Sequence, residues 1–211
     1  IRTAIADNLR RMGRIDESEA AYTNLVDLAR QGLPEFVKNE ARFQQGIAEV
    51  MKIRGKLDDA LQVYRAILKQ EDIENREWLF HKLGLCNVLK LMERYDEAYS
   101  IVDDVVQTYP FAMQARFTRG SILGLMGREL EGLSDLPESS GTRSWREWMR
   151  RYYRGLLLFK LKRYGDAEKN LVEELSKAMA DGEEKSILRM AAALCFLRKD
   201  KTIEVDKILL Q

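Results

Sequence analysis

The 211-residue sequence has one histidine, two cysteines and three prolines. A single His81 rules out a multi-histidine zinc site or a two-histidine catalytic arrangement. Cys86 and Cys195 make neither a disulfide framework nor a CxxC metal spacing. So few prolines disfavour a loop-rich β fold, and no apolar run approaches the ~18 residues of a membrane span. Charge of one sign is lacking too: 35 Lys plus Arg face 34 Asp plus Glu, a formal net charge of +1. That balance weighs against whole-surface attraction to nucleic acid. There is no Asn-x-Ser/Thr acceptor, which fits a reducing cytoplasm, the expected location. No catalytic group, cofactor or metal site is expected.

What the sequence has is repetition. GKLDDALQVYRAIL from Gly55 and ERYDEAYSIVDDVV from Glu93 share a turn, an acidic pair, a small residue and apolar residues at helical spacing. GRIDESEAAYTNLV from Gly13 and KRYGDAEKNLVEEL from Lys162 are close variants. Asp16, Asp58, Asp96 and Asp166 fall at expected helix starts, where a carboxylate accepts free N–H bonds and opposes the helix dipole. Small residues recur in pairs twelve apart: Ala6 and Ser18, Ala48 and Ala60, Cys86 and Ala98, Gly120 and Gly132, Gly155 and Ala167. Leu9, Met51, Leu89, Leu123 and Leu158 follow each first member by three. Small side chains on two antiparallel helices let their backbones cross closely.

These spacings resemble the tetratricopeptide repeat (TPR). Ile47, Ala48, Met51, Ala60 and Tyr64 match it well. Leu85, Cys86, Leu89, Ala98 and Val102, closed by Pro110, match nearly as well, and Ile5, Ala6, Leu9, Ser18 and Tyr22 form a third copy. Two copies depart from the pattern, carrying Arg119 before Gly120 and Arg154 before Gly155. The resemblance implies an all-α solenoid of about six antiparallel helix pairs in one domain over 1–211. The repeats would span 1–33, 34–72, 73–110, 111–143, 144–181 and 182–211, with helices at 1–12, 16–31, 34–54, 58–70, 74–92, 96–108, 111–126, 129–136, 144–161, 166–180, 183–198 and 202–211. The opening Ile1 leads us to expect a piece of a longer protein.

In that family the first helix of each pair lines a groove that receives a peptide or a partner's helix. The resemblance points Thr3, Asp7, Arg42, Gln45 and Glu49 inward in the first copies. Phe80, Leu83, Asn87, Phe117, Ser121, Tyr152, Leu156, Phe159, Lys185 and Leu188 follow, so the groove is expected to turn from polar to aromatic. A peptide would be anchored near Phe80, Phe117 and Tyr152 and held by Asn87; alternatively these aromatics pack between copies. The partial match to a carboxylate clamp, Lys185 with Arg189, makes chaperone-tail binding improbable.

Residues 142–164 carry eight basic side chains against one Glu. Arg143, Arg146, Arg150 and Arg154 fall on one helical stripe opposite Trp145, Trp148, Tyr152, Leu156 and Phe159. The stripe suits an anionic partner such as RNA, or a solvated face paired with Glu129, Glu131, Asp135 and Glu138. His81 reads as an ordinary helix residue near the groove rim, and Cys86 as a buried packing residue. The glycine-rich GSILGLMG lacks a phosphate-loop lysine and follows no strand. The apolar last helix, 202–211, suggests self-association. The resulting expectation is a non-enzymatic scaffold or adaptor, with a sensing arm of a larger protein or an anionic-partner adaptor as alternatives.

Overall fold

In the computed structural model the backbone is described for residues 2–69, 75–136 and 145–181, and side chains for 2–69, 77–136 and 150–173. These residues form eleven α-helices and no strand: α1 (Arg2–Arg11), α2 (Ile15–Arg30), α3 (Pro34–Val37), α4 (Glu40–Ile53), α5 (Leu57–Leu68), α6 (Asn75–Leu91), α7 (Tyr95–Thr108), α8 (Met113–Leu125), α9 (Glu129–Ser134), α10 (Trp145–Lys160) and α11 (Tyr164–Asp181). The chain divides into two compact units, Ile1–Arg94 and Tyr95–Gln211. Within the first, α1 packs on α2, α2 on α4, α4 on α5 and α5 on α6. Within the second, α7 packs on α8, α8 on α9, and α10 on α8, α9 and α11. The expected sixth pair lies outside the described residues.

All ten small residues of the repeat are buried, and their size has a use. A Cβ added to Gly132 would stand 2.9 Å from the Gly120 carbonyl oxygen. One added to Gly155 would meet Leu171 Cγ at 2.8 Å. In the first pair Ser18 Oγ donates to the Ala6 carbonyl at 2.9 Å, so helix contact and polar satisfaction coincide.

The turns inside the pairs share one construction. Gly13, Gly55 and Gly127 have φ of 77°, 75° and 73°, and Glu93 and Lys162 take the same left-handed conformation at 58° and 59°. The next residue is basic each time, and its N–H closes the helix on the carbonyl five back. These bonds run from Arg14 to Leu9, Lys56 to Met51, Arg94 to Leu89, Arg128 to Leu123 and Arg163 to Leu158, at 2.8–2.9 Å. This is the Schellman closure of a helix C-terminus.

Two expectations need correction. Arg14, Lys56 and Arg128 stand at the N-caps of α2, α5 and α9, and none makes a side-chain capping bond. Asp16 and Asp58 lie one step inside the helix instead, in the first turn, where they oppose the dipole. The basic N-cap reaches forward as well: Arg14 pairs with Glu17, Arg128 with Glu131 and Arg163 with Asp166. The helix expected over 34–54 is also divided. Pro34 opens the single turn α3, and the chain restarts at Asn39 (φ −112°). Phe36 of that turn is buried against Phe43, ring centroids 6.3 Å apart.

Candidate functional site

The first unit brings α4 and α6 side by side. Residues seven and eleven apart share a helical face, which aligns Arg42, Glu49 and Ile53 on α4 with Phe80, Asn87 and Leu91 on α6. The ends of both stripes are open to solvent: Ile53 is 51% exposed, Phe80 40% and Leu91 37%, and Arg42 is exposed. Glu49 and Asn87, in the middle, are partly buried.

Tyrosines of the second helices hold this face from behind. The Tyr22 hydroxyl donates to Asp7 Oδ1 at 2.6 Å, and Tyr64 donates to Glu49 Oε1 at 2.6 Å, both across fifteen residues. Each ring also fills the space over a glycine of the next first helix. A Cβ built on Gly46 would overlap atoms of the Tyr22 ring, and one on Gly84 atoms of the Tyr64 ring. Burial opposes ionisation of Glu49, but the Lys52 ammonium 2.7 Å away and the Tyr64 hydroxyl outweigh it and hold its carboxyl below the usual range. Burial, then the neighbouring carboxylates, push both phenols upward.

Between the two stripes lies a pocket of about 440 Å³ lined by Arg42, Gln45, Glu77, Phe80 and His81. His81 is only 1% exposed, so it sits in the wall rather than on the rim expected from the sequence. Neither ring nitrogen has a hydrogen-bond partner among the described residues. Burial lowers its pKa, keeping the imidazole neutral at pH 7. Sequence reading placed Arg42, Gln45 and Phe80 on this face and His81 at its rim, but missed Glu77. The available signal for Glu77 was its position nine residues before Cys86, on the flank of α6 beside Phe80 and His81.

The aromatic half of the expected groove is differently placed. Leu83, Phe117, Ser121, Tyr152, Leu156 and Phe159 are all 8% exposed or less. Phe117 packs with Leu136 and Leu157 and stacks on Tyr153, centroids 6.3 Å apart. Packing between helices is thus what these side chains do in this structure; Phe80 and Asn87 retain surface. Lys185, Leu188, Arg143 and the side chain of Arg146 lie outside what is described, as do Cys195 and the last helix.

The described members of the basic stripe, Arg150 and Arg154, turn inward. Arg150 is completely buried, and Arg154 donates to the Leu136 carbonyl at 2.9 Å. Arg154 occupies the station filled by Ile5, Ile47 and Leu85 in earlier copies, just before the small residue. Arg119 holds that station in the fourth copy. It makes a two-pronged contact with Asp135, at 2.7 and 2.5 Å, and reaches Asp103 at 2.6 Å. The acids proposed as partners of the stripe are engaged by others as well, Glu131 by Arg128 and Glu129 by Lys160. Lys160 also donates to the Gly124 carbonyl.

Among the described residues no group of three or more His, Cys, Asp or Glu could hold a metal ion. No helix among them is long and apolar enough to cross a membrane.

No protein-family profile matches the chain. No curated protein sequence matches it either. Solved structures do. A thermophilic TPR protein from Thermus thermophilus superposes with a TM-score of 0.70 at 16% identity, covering 92% of this chain and 97% of its own. A tetratricopeptide repeat protein from Parabacteroides merdae gives 0.52 at 10% identity, over 100% and 98%. YrrB, a TPR protein with an unusual peptide-binding site, gives 0.50 at 20% identity, over 90% and 89%. The fold is therefore the all-α helix-pair solenoid of TPR proteins.

Proposed function

We propose that this chain is a non-catalytic scaffold that holds a partner protein by a peptide or helix laid across α4 and α6. One observation carries the reading: two successive first helices present the same seven-and-eleven stripe, and its apolar members Ile53, Phe80 and Leu91 are left exposed. Scattered exposed apolar residues are ordinary; Ile53 and Leu91 at one register on adjacent helices, with Phe80 on the same stripe as Leu91, suit a contact surface. Glu49 and Asn87 between them supply polar atoms for a ligand's backbone. A structural neighbour is described as having a peptide-binding site, and the same kind of use is proposed here. A cytoplasmic location belongs to the same proposal.

A random peptide library displayed on phage, selected against the purified chain, tests this. Selected peptides are expected to lose at least about tenfold in affinity when Phe80→Ala and Leu91→Ser are combined, with helicity by circular dichroism unchanged. Peptides that bind the double variant as tightly as the parent, or no selectable peptide at all, would refute the groove.

A further inference from the structure

The pocket between α4 and α6 contains more chemistry than a general peptide surface requires. One wall offers the guanidinium of Arg42, and the other the carboxylate of Glu77. They make no ion pair with each other or with any other described residue, so the pocket holds a free donor, a free acceptor and no net charge. Phe80 adds an exposed ring. His81 adds a neutral imidazole, one nitrogen donating and one accepting, buried and unsatisfied. Gln45 is already turned to the Tyr64 hydroxyl.

These requirements select among side chains. The buried imidazole already lacks partners in the free protein, so a polar group that reaches it gains a hydrogen bond that an apolar group cannot offer. A carboxylate would meet Glu77 and an ammonium Arg42, each bringing one like charge into a partly closed space. A carboxamide carries no charge and presents both a carbonyl oxygen and two N–H donors on one plane. Its oxygen can accept from Arg42, its NH2 can donate to Glu77 or to an imidazole nitrogen, and its face can lie on Phe80. The volume admits such a side chain together with a short stretch of its backbone.

We propose that this pocket takes the carboxamide of an asparagine or glutamine side chain on the bound segment. The inference rests on the peptide-binding reading above and specifies what that peptide contains.

His81 is the sole histidine of the chain, so its ring signals in an NMR spectrum need no assignment. The probes are N-acetyl-glutamine N-methylamide and its glutamate, lysine and leucine counterparts, which share one backbone. The glutamine probe is expected to shift the His81 resonances saturably at millimolar concentration, at least fivefold lower than the other three. Arg42→Ala and Glu77→Ala should each weaken it about fivefold. A silent His81, or a glutamate, lysine or leucine probe equal to or better than glutamine, overturns the inference. Library peptides that depend on Phe80 and Leu91 but contain no Asn or Gln and leave His81 unshifted overturn it alone, sparing the groove. A glutamine response without any library peptide would instead refute the groove and keep the pocket.

Discussion

Tyr64 occupies the space that a side chain at Gly84 would need, while its hydroxyl is tied to Glu49 2.6 Å away. One aromatic residue therefore spaces the next first helix and orders the carboxylate in the middle of the exposed stripe. Tyr22 repeats the arrangement with Gly46 and Asp7. The Tyr64 ring is fully buried and held at its tip, so a methyl group at Gly84 would press on a side chain already closely packed.

Gly84→Ala should consequently destabilise the first unit by about 2–3 kcal/mol, well beyond the modest gain alanine normally brings to a helix. In a Tyr64→Leu background the penalty of the same change should shrink by more than half. Urea denaturation of the four proteins in this cycle measures it, and additive penalties would refute the steric coupling.

The turns offer a test of opposite sign. Glu93 and Lys162 adopt the left-handed conformation that glycine holds in three sister turns. That region costs an L-residue about 1 kcal/mol. Glu93→Gly and Lys162→Gly should each stabilise by roughly 0.5–1 kcal/mol, and Gly55→Ala should destabilise by a similar amount. Thermal melts of the single variants suffice; a loss on either glycine replacement would contradict the strain.

Lys90 gives a prediction in pH. It is 2% exposed, and burial lowers its pKa to about 8. An unfolded lysine titrates near ~10.4, so between those values the unfolded chain holds the extra proton. Stability attributable to Lys90 must then rise as pH climbs from about 8 to 10.4, and at pH 7 the full penalty is present. Lys90→Met should raise stability at pH 7 by about 2–3 kcal/mol and abolish this part of the pH dependence. Parallel denaturant titrations at pH 7 and 10 check it; an advantage undiminished at pH 10 would count against it.

Arg119 makes the last test. Its partner Asp135 has only 4% of its side chain exposed, so removing the guanidinium strands a buried carboxylate. Arg119→Ala should cost about 3 kcal/mol. Arg119→Lys should recover less than half, since an ammonium cannot make the two-pronged contact and still reach Asp103. Equal stability of all three proteins would show that the cluster contributes nothing.

Much of this arrangement could be read from residue spacing. Ala6, Ala48, Cys86, Gly120 and Gly155 disclose the pairs because close helix contact tolerates only small side chains, and that constraint is local enough to recur in the sequence. The turns were equally legible in outline, since Gly13, Gly55 and Gly127 stand at helix ends. Their basic neighbours went unread because the capping there is made by backbone N–H groups, whatever the side chain.

Side-chain exposure was another matter. The stripe on α10 has the amphipathic pattern of a surface helix, yet Arg150 is buried and Arg154 bonds a backbone carbonyl. Periodicity says which residues share a face; it does not say which neighbour that face meets. Nor could it place Arg42 and Glu77 around one pocket, or leave His81 enclosed without a partner, because those relations join different helices. Residue spacing alone disclosed the paired helices, their close crossings and the stations along each. Which stations became core and which became surface was settled by packing in three dimensions, because burial depends on every element around a side chain, and no single helix contains that information.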